Sequence, residues 1–194
     1  MNKNIILCGV GGQGTILASR LIASAAMAKN IPIRTAETIG MAQRGGSVMS
    51  HLRLGEGVNS PLIAKGEADL IIGFEPGETV RMMPYLKKGG AVVVSRRPVM
   101  PVSAMIGQSS YDSDAMIAYL RENTERLTVV DGDLAAAELG SAKTLNVVLL
   151  GAALRSGELG LTEEDLEGAV RKRVPGKFIE LNRKALAWAG KHEK

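Results

Sequence analysis

The feature that most constrains the fold of this chain is a glycine-rich hexapeptide that joins an apolar run to a helix-forming segment. Gly9-Val10-Gly11-Gly12-Gln13-Gly14 has the spacing G-x-G-x-x-G. The preceding residues 4–9 form a short apolar run that predicts a buried strand, and residues 15–29 are rich in good helix formers. Glycines let a chain turn tightly from a strand into a helix, which is typical of the first unit of a parallel α/β sheet.

The same alternation of apolar runs and helical patterns continues along the chain. Further strands are predicted at residues 31–37, 47–54, 68–73, 91–95 and 127–131. A short helix is predicted after residues 75–78, ending at about residue 86, and further helices at residues 112–123, 134–139, 146–156, 163–173 and 178–188, with Thr162 and Asp165 as a capping box. On the last helix, one apolar face is expected from Phe178, Leu181, Ala185 and Trp188. Residues 87–90 (Lys-Lys-Gly-Gly) are expected to form a turn, and residues 38–46 are too short and glycine-rich for a crossover helix.

These patterns together predict an α/β fold. We expect a mostly parallel, Rossmann-like sheet with helices on both faces and one irregular strand region after the second strand. No repeat or long linker divides the sequence, so residues 1–194 are expected to be a single domain.

Composition excludes several classes of protein. Apolar residues make up 45% and charged residues 23% of the 194 residues, which is ordinary for a globular chain. One cysteine cannot build a disulfide framework or a four-thiolate metal site. Six aromatic residues argue against a reader of single-stranded nucleic acid. No apolar run is long enough to cross a bilayer or to act as a secretory signal, so we predict a cytoplasmic protein without nucleic-acid or membrane partners.

The net charge of +4 is concentrated at one end of the sequence. Residues 171–194 contain eight Lys or Arg and two Asp or Glu, whereas the first 170 residues carry a small negative balance. These cations are expected either to form a solvated helix face or to dock an acidic partner.

The glycine loop is a candidate anion-binding site. Glycines allow close backbone approach, and the free N–H groups at a helix start attract phosphates. An acid that could hold a ribose hydroxyl should follow about 20 residues later, and Glu37 is the candidate. The alternative is that the glycines serve only close packing of helix and sheet. The predicted ligand contacts are Gly9, Gly11, Gly12, Gln13, Gly14, Thr15 and Glu37.

A second candidate cluster follows the second predicted strand. Arg44, next to two glycines, is a cation on backbone that can approach a carboxylate or phosphate closely. On the next strand, Ser47, His51 and Arg53 share one face. Alternatively, Arg44 forms a surface salt bridge and His51 is an exposed strand residue. The predicted subunit or active-site contacts are Gln43, Arg44, Gly45, Gly46, Ser47, His51 and Arg53.

Familiar catalytic arrangements are missing from the sequence. It contains two histidines, no Walker A lysine and no G-x-S-x-G elbow. Cys8 lies in a predicted buried strand and is expected to be inert, while Glu75 and Glu78 are expected on an exposed turn. We therefore predict no catalytic residue and no metal ligand, and interpret the chain as a binding module or subunit.

The sequence resembles the gamma-domain family of thiamine-dependent 2-oxoacid:ferredoxin oxidoreductases, and the resemblance covers nearly the whole chain. Within the family, the softer C-terminal matches favour the indolepyruvate branch over the pyruvate, 2-oxoglutarate and branched-chain branches. The matching segments are 9–14 (GVGGQG), 37–48 (ETIGMAQRGGSV), 60–63 (SPLI), 73–76 (GFEP), 143–151 (KTLNVVLLG), 174–175 (VP) and 180–182 (ELN).

The resemblance implies a role inside a larger enzyme. Such enzymes oxidatively decarboxylate a 2-oxoacid with coenzyme A to an acyl-CoA, carbon dioxide and reduced ferredoxin. It implies that a large partner subunit holds thiamine diphosphate, magnesium and iron–sulfur clusters, and that this chain alone is inactive. It also implies coenzyme A as co-substrate, whose pyrophosphate suits a glycine-loop site. The isolated chain is expected to form a homodimer if the surface meant for the partner is apolar.

Two other interpretations remain open at this point. The chain could be a free-standing NAD(P)-dependent domain, although the missing crossover helix after Glu37 and the lack of a proton-transfer residue disfavour it. It could also be a nucleotide-binding or docking module without a redox role.

Overall fold

The computed structural model describes residues 2–39, 45–107 and 109–192, and within them six strands and eight α-helices. The strands are β1 (Lys3–Val10), β2 (Ile33–Ile39), β3 (Ser47–Leu54), β4 (Ala68–Gly73), β5 (Leu86–Ser95) and β6 (Arg126–Val130). The helices are α1 (Thr15–Ala28), α2 (Pro76–Met82), α3 (Val102–Met105), α4 (Ser113–Asn123), α5 (Gly132–Leu139), α6 (Leu145–Arg155), α7 (Glu163–Arg173) and α8 (Ile179–His192).

The six strands form one sheet in the order β2-β3-β1-β4-β5-β6. The pairs β1–β4, β4–β5 and β5–β6 are parallel, whereas β3 runs antiparallel to both β1 and β2. This confirms a mostly parallel α/β sheet. The irregular region predicted after the second strand contains β3, which pairs antiparallel with β2 from Ile33–Leu54 to Ile39–Val48.

Helices cover both faces of the sheet. Alternate residues of β1 face opposite sides, so Ile5 and Leu7 pack under α1, α6, α7 and α8, while Ile6 and Cys8 pack towards α2 and α4. The continuous apolar runs of β4 and β5 follow from burial on both faces.

Ion pairs close the edge of the sheet at which the parallel strands begin, which we call the amino edge. Glu158, after α6, contacts Lys3 of β1 through Oε2 and Arg126 of β6 through Oε1, the latter at 2.6 Å. Asp69 of β4 contacts Lys87 of β5 and accepts a hydrogen bond from the backbone N–H of Asn4 at 2.7 Å. The starts of four neighbouring strands are therefore tied together by side-chain charge.

Two local predictions need correction. Residues 87–90 are not a turn between elements: they bulge out of β5, whose pairing with β4 skips from Leu86 to Ala91. On the last helix, Phe178 lies before α8 and is 44% exposed, and the buried face contains Ala185, Leu186, Trp188 and Ala189. The apolar stripe is therefore shifted towards the C-terminus of the helix.

Within the described ranges, no helix combines the length and apolar character needed to cross a bilayer.

Candidate functional site

The glycine loop lies where β1 ends, at the edge of the sheet opposite the ion pairs. We call this the carboxyl edge: the ends of β1, β4, β5 and β6 and the segments that follow them. Parallel strands all end on this side, which is where open α/β sheets bind ligands.

The positions of the loop require glycine for different structural reasons. Gly12 and Gly14 have φ angles of 101° and 85°, which favour glycine. A Cβ on Gly9 would lie 2.7 Å from both Gln13 Oε1 and Phe74 Cβ, so Gly9 is required for packing. The Gly11 N–H donates a 2.8 Å hydrogen bond to the Gly46 carbonyl, which joins the loop to the second predicted cluster.

Both ends of the Gln13 side-chain amide form hydrogen bonds within the protein itself. Its Oε1 accepts from the Val10 N–H at 2.7 Å, and its Nε2 donates to the Phe74 carbonyl at 2.9 Å. The side chain therefore ties the loop to the junction between β4 and α2. Gln13, one of the predicted ligand contacts, therefore stabilises the conformation of the loop.

The two remaining predicted ligand contacts lie apart from each other. Thr15 begins α1 and is buried. Glu37 is exposed on β2 and accepts a 3.4 Å hydrogen bond from Ser19 on α1. Because β3 lies between β2 and β1, Glu37 is one strand further from the loop than the acid of an ordinary dinucleotide site.

The second predicted cluster divides into two parts. Gly45 and Ser47 lie beside the loop at the carboxyl edge, while Gln43 and Arg44 lie outside the described residues. His51 is 4% exposed, which corrects the interpretation as an exposed strand residue. Its Nδ1 accepts the Ile63 N–H at 3.2 Å, and burial lowers the pKa of its imidazole.

Arg53 also supports the chain internally. Its Nε donates to Asn4 Oδ1 at 3.0 Å, and its Nη1 donates to the carbonyls of Ser60 and Leu62 at 3.3 Å. Together with His51 it fixes the segment after β3 against the sheet, away from the glycine loop.

A cavity of about 450 Å³ opens at the carboxyl edge next to the loop. One wall is formed by α2, the end of β1 and the start of β3, and the other by residues 99–103 and 109–111. The residues that line the cavity include Val10, Gly45, Ser47, Glu75, Glu78 and Tyr111.

Two carboxylates at the start of α2 line this cavity, and their predicted position on an exposed turn is wrong. Glu75 and Glu78 are 2% and 5% exposed, rather than on an exposed turn. Glu75 Oε2 accepts the Glu78 N–H at 2.9 Å, which caps α2, and its Oε1 accepts from the Tyr111 hydroxyl. Glu78 Oε2 accepts from the Ser47 hydroxyl at 2.6 Å, and Oε1 contacts Arg81.

Burial shifts the protonation equilibrium of one of these carboxyls. Desolvation raises the pKa of the Glu75 carboxyl, and the hydrogen bond from the Glu78 N–H offsets part of that shift. One signal in the sequence could have found this pair: residues 75–78 come one residue after the buried strand β4, so they lie at the carboxyl edge.

The donor groups of the described residues do not fit a metal ion or an iron–sulfur cluster. Across residues 2–39, 45–107 and 109–192, no three His, Cys, Asp or Glu side chains come together in a geometry that could hold a metal. Cys8, the single cysteine, is buried in β1, and burial raises the pKa of its thiol, which opposes the thiolate form that a cluster needs.

Comparison with known proteins gives consistent matches over the whole chain. The profile of the family described as pyruvate ferredoxin/flavodoxin oxidoreductase matches residues 4–191. The indolepyruvate oxidoreductase subunit IorB of Archaeoglobus fulgidus is 40% identical over 96% of this chain and 92% of its own. IorB of Thermococcus kodakarensis is 39% identical over 94% and 91%. The common gamma subunit of pyruvate/ketoisovalerate oxidoreductases from Pyrococcus abyssi is 26% identical over 91% and 89%.

Solved structures match the fold. The gamma subunit of a keto/oxoacid ferredoxin oxidoreductase from Geobacter sulfurreducens has a TM-score of 0.71 at 25% identity, over 97% of this chain and 96% of its own. A 2-oxoglutarate:ferredoxin oxidoreductase from Magnetococcus marinus has a TM-score of 0.69 at 22% identity. All of this chain aligns there with 32% of that chain, so the fold also occurs as one part of a longer polypeptide.

Proposed function

The chain belongs to the pyruvate ferredoxin/flavodoxin oxidoreductase family and is a subunit of a 2-oxoacid:ferredoxin oxidoreductase, and from this premise we propose that the substrate of its complex is indolepyruvate. One observation carries the proposal. Identity is 37–40% to four archaeal IorB subunits but 25–26% to gamma subunits of pyruvate/ketoisovalerate oxidoreductases, over more than nine-tenths of this chain in every case. The complex would convert indolepyruvate and coenzyme A to an acyl-CoA and carbon dioxide, with ferredoxin as the electron acceptor.

The proposal places thiamine diphosphate, magnesium and iron–sulfur clusters on a large partner subunit. The donor set of this chain supports that division, because a single buried thiol is unsuited to hold a cluster. The cytoplasmic location predicted from the sequence is part of the same proposal.

We further propose that the glycine loop binds the pyrophosphate of coenzyme A. The positive φ angles of Gly12 and Gly14 bring the backbone to the surface at the start of α1, and no side chain caps that helix. Gly9 and Gln13 support the loop in this proposal, while Gly11, Gly12, Gly14 and Thr15 line the ligand. Replacing Gly11 by Val should weaken coenzyme A binding measured by calorimetry, and equal heats from both proteins would contradict the assignment.

The partner subunit is proposed to contact the carboxyl edge near Gly45 and Ser47, together with Gln43 and Arg44. Met100, Met105 and Ile106 are exposed in the adjoining segment, which supports an interface there and would also favour a homodimer of the isolated chain. The exposed Lys172, Arg173 and Lys177 would speed encounter with an acidic partner.

Co-expression with the large subunit tests the function. The purified complex should reduce a viologen or ferredoxin with indolepyruvate and coenzyme A, with a higher kcat/KM than with pyruvate or 2-oxoglutarate. The isolated chain should give no turnover. A preference for pyruvate would assign the chain to another branch of the family, and turnover by the chain alone would contradict its role as a non-cofactor subunit.

A docking module without a redox role is the second candidate, and the engagement of Gln13 favours it. Because both ends of the Gln13 amide bind groups of the protein itself, the loop is also compatible with a role only in packing the helix against the sheet. Under this alternative, the complex should form normally while the Gly11→Val variant leaves its turnover unchanged.

A further inference from the structure

The cavity at the carboxyl edge carries a net negative charge. Three charged side chains line it, namely Glu75, Glu78 and Arg81, and the remaining lining residues are apolar, glycine or hydroxyl-bearing. Two carboxylates and one guanidinium give a balance of −1 when both acids are ionised. The Arg81 side chain is 62% exposed and pairs with Glu78, so its charge lies largely in solvent. An anion would therefore meet a charge of its own sign in this cavity, whereas a cation would be attracted.

Glu75 is the acid that the fold leaves without a counter-charge. It is 2% exposed and forms no ion pair with any of the described residues. Its carboxylate accepts hydrogen bonds from neutral donors, which are the Glu78 N–H at 2.9 Å and the Tyr111 hydroxyl. Burial without a cation disfavours the ionised form, and desolvation accordingly raises the pKa of this carboxyl. A cation from outside the chain would stabilise the charge that the described residues leave unpaired.

The cavity adjoins the surface that is proposed to contact the large partner subunit. Gly45 and Ser47 belong both to that surface and to the lining of the cavity. Met100 lines the opposite wall and is 48% exposed. Apolar lining residues such as Val80 and Met116 suit the aliphatic stem of a long side chain, whose charged end the carboxylates would bind. The volume of about 450 Å³ is large enough to enclose one such side chain.

We propose that this cavity receives one arginine side chain of the large partner subunit, whose guanidinium supplies the positive charge that Glu75 and Glu78 lack. The proposal rests on the proposed function, because it needs a partner subunit at the carboxyl edge. It assigns the centre of that interface to a charge pair that is enclosed on assembly, and the exposed methionine beside the cavity would exclude water around it.

Arginine suits these carboxyls better than lysine does. Its planar guanidinium presents five N–H donors and can bind a carboxylate in a two-pronged manner, whereas a lysine ammonium is a compact and more strongly hydrated charge. The start of α2 contributes roughly half a positive charge, which is smaller than the charge of the two carboxylates. The acids therefore determine which sign of charge the cavity attracts.

A small guanidinium compound tests the cavity on the chain alone. Isotope-labelled full-length chain is titrated with n-butylguanidinium, which carries a positive charge on an apolar stem, and with n-butylurea, its neutral isostere. The backbone amides of Gly77, Glu78 and Tyr111 should shift in a saturable manner with the cation, and its affinity should exceed that of the urea by about ten-fold or more. Equal affinities, or no shift with either compound, would overturn the site.

Matched substitutions test the same carboxyls in the complex. Glu75→Gln and Glu78→Gln each remove one charge from the cavity, and each should raise the Kd for the large subunit by about ten-fold or more, mainly through faster dissociation. Asp133→Asn removes a charge of the same sign from a 73% exposed side chain at the same edge, and should leave the Kd within about two-fold. Thermal unfolding checks that each variant is folded. The same Kd for the parent and both glutamine variants, or an equal loss in Asp133→Asn, would contradict the proposal.

Occupancy of the cavity distinguishes a partner side chain from a free ligand. In the assembled complex the arginine should exclude n-butylguanidinium, so that calorimetry detects no binding of this probe. Probe binding as tight as that of the isolated chain would reject the partner as the occupant.

The inserted arginine and the proposed function can fail separately. Normal assembly of both glutamine variants, together with turnover of indolepyruvate, would reject the arginine and leave the function in place. Weakened assembly of these variants, together with a preference of the parent complex for pyruvate, would support the arginine and reject the proposed substrate.

Discussion

The two edges of the sheet shift the pKa of a glutamate carboxyl in opposite directions. At the amino edge, Glu158 is held between Lys3 and Arg126, and the hydrogen bond from Lys3 is the largest cause that lowers the pKa of its carboxyl. At the carboxyl edge, Glu75 is buried, and desolvation raises the pKa of its carboxyl. One edge therefore stabilises a charge, and the other holds a carboxyl at an electrostatic cost.

Because of this difference, the amino edge of the sheet contributes to stability, whereas the carboxyl edge has the features of a binding site. Charges at the amino edge are paired and tie strand starts together, as expected where no ligand has to approach. The carboxyl edge has a cavity, the uncapped start of α1 and a buried acid, which are features of sites that bind ligands.

The largest effect is expected from removing Gln13, which supports the loop at the carboxyl edge. Gln13→Ala leaves the Val10 N–H and the Phe74 carbonyl without their partner, which should lower the free energy of unfolding by about 2–4 kcal/mol. Urea denaturation measures it. The control is Asn182→Ala, which removes one exposed bond on α8 and should cost less than about 1 kcal/mol. Equal losses would show that the loop needs no internal support.

Breaking the amino edge should have the next largest effect. Glu158→Gln removes the charge that pairs with Lys3 and Arg126, and should cost about 1–2 kcal/mol at neutral pH. Because the folded pKa of Glu158 is lowered, its contribution is present above the unfolded pKa and is lost as pH falls through the folded pKa. The free energy of unfolding, measured from pH 7 to pH 3, should fall less in the variant than in the parent.

The reverse pH dependence is expected at the carboxyl edge. The raised pKa of Glu75 means that its ionisation opposes folding as pH rises from the unfolded pKa through the folded pKa. Glu75→Gln keeps an acceptor for the Glu78 N–H and cannot ionise, so its free energy of unfolding should rise relative to that of the parent as pH increases across that window. A variant that loses stability relative to the parent with rising pH would contradict the assigned burial effect.

The smallest effect is expected from an exposed ion pair that also lies at the carboxyl edge. Arg97 Nε is 3.3 Å from Asp133 Oδ1, and both side chains are largely exposed. Arg97→Ala should change the free energy of unfolding by less than about 0.5 kcal/mol, because solvent screens such pairs. Thermal unfolding at low and high salt checks this, and a loss as large as that of Glu158→Gln would remove the contrast between the edges.

The fold could be predicted from sequence because its signals are local. Apolar runs located β1, β3 and β4 to within a residue or two, and the capping box of Thr162 and Asp165 marked the start of α7. The lack of room for a crossover helix indicated an irregular region after β2, but it did not indicate that β3 pairs antiparallel with both β2 and β1. By contrast, the bulge at residues 87–90 depends on pairing with β4, which the two glycines alone could not indicate.

The site was harder to predict because its members meet only in three dimensions. The glycine loop was found from its spacing, but the internal role of Gln13 depends on Phe74, which lies on another strand end. Burial of Glu75 and His51 comes from Tyr111 and Ile63, neither of which is a sequence neighbour. Charged residues were placed on the surface by default, and the packing of distant segments overruled that default.

The antiparallel part of the sheet also has a consequence for the order in which the protein folds. The register of β3 against β1 runs from Lys3–Leu54 to Val10–Ser47, and β2 pairs with β3 over the same residues. Half of the sheet is therefore complete within the first 54 residues, while the parallel half requires later crossovers. Contacts close in sequence form fastest, so protection from hydrogen exchange should appear in β2 and β3 before β6. During synthesis, β1, β2 and β3 would then be paired before the segment that contains β6 has emerged.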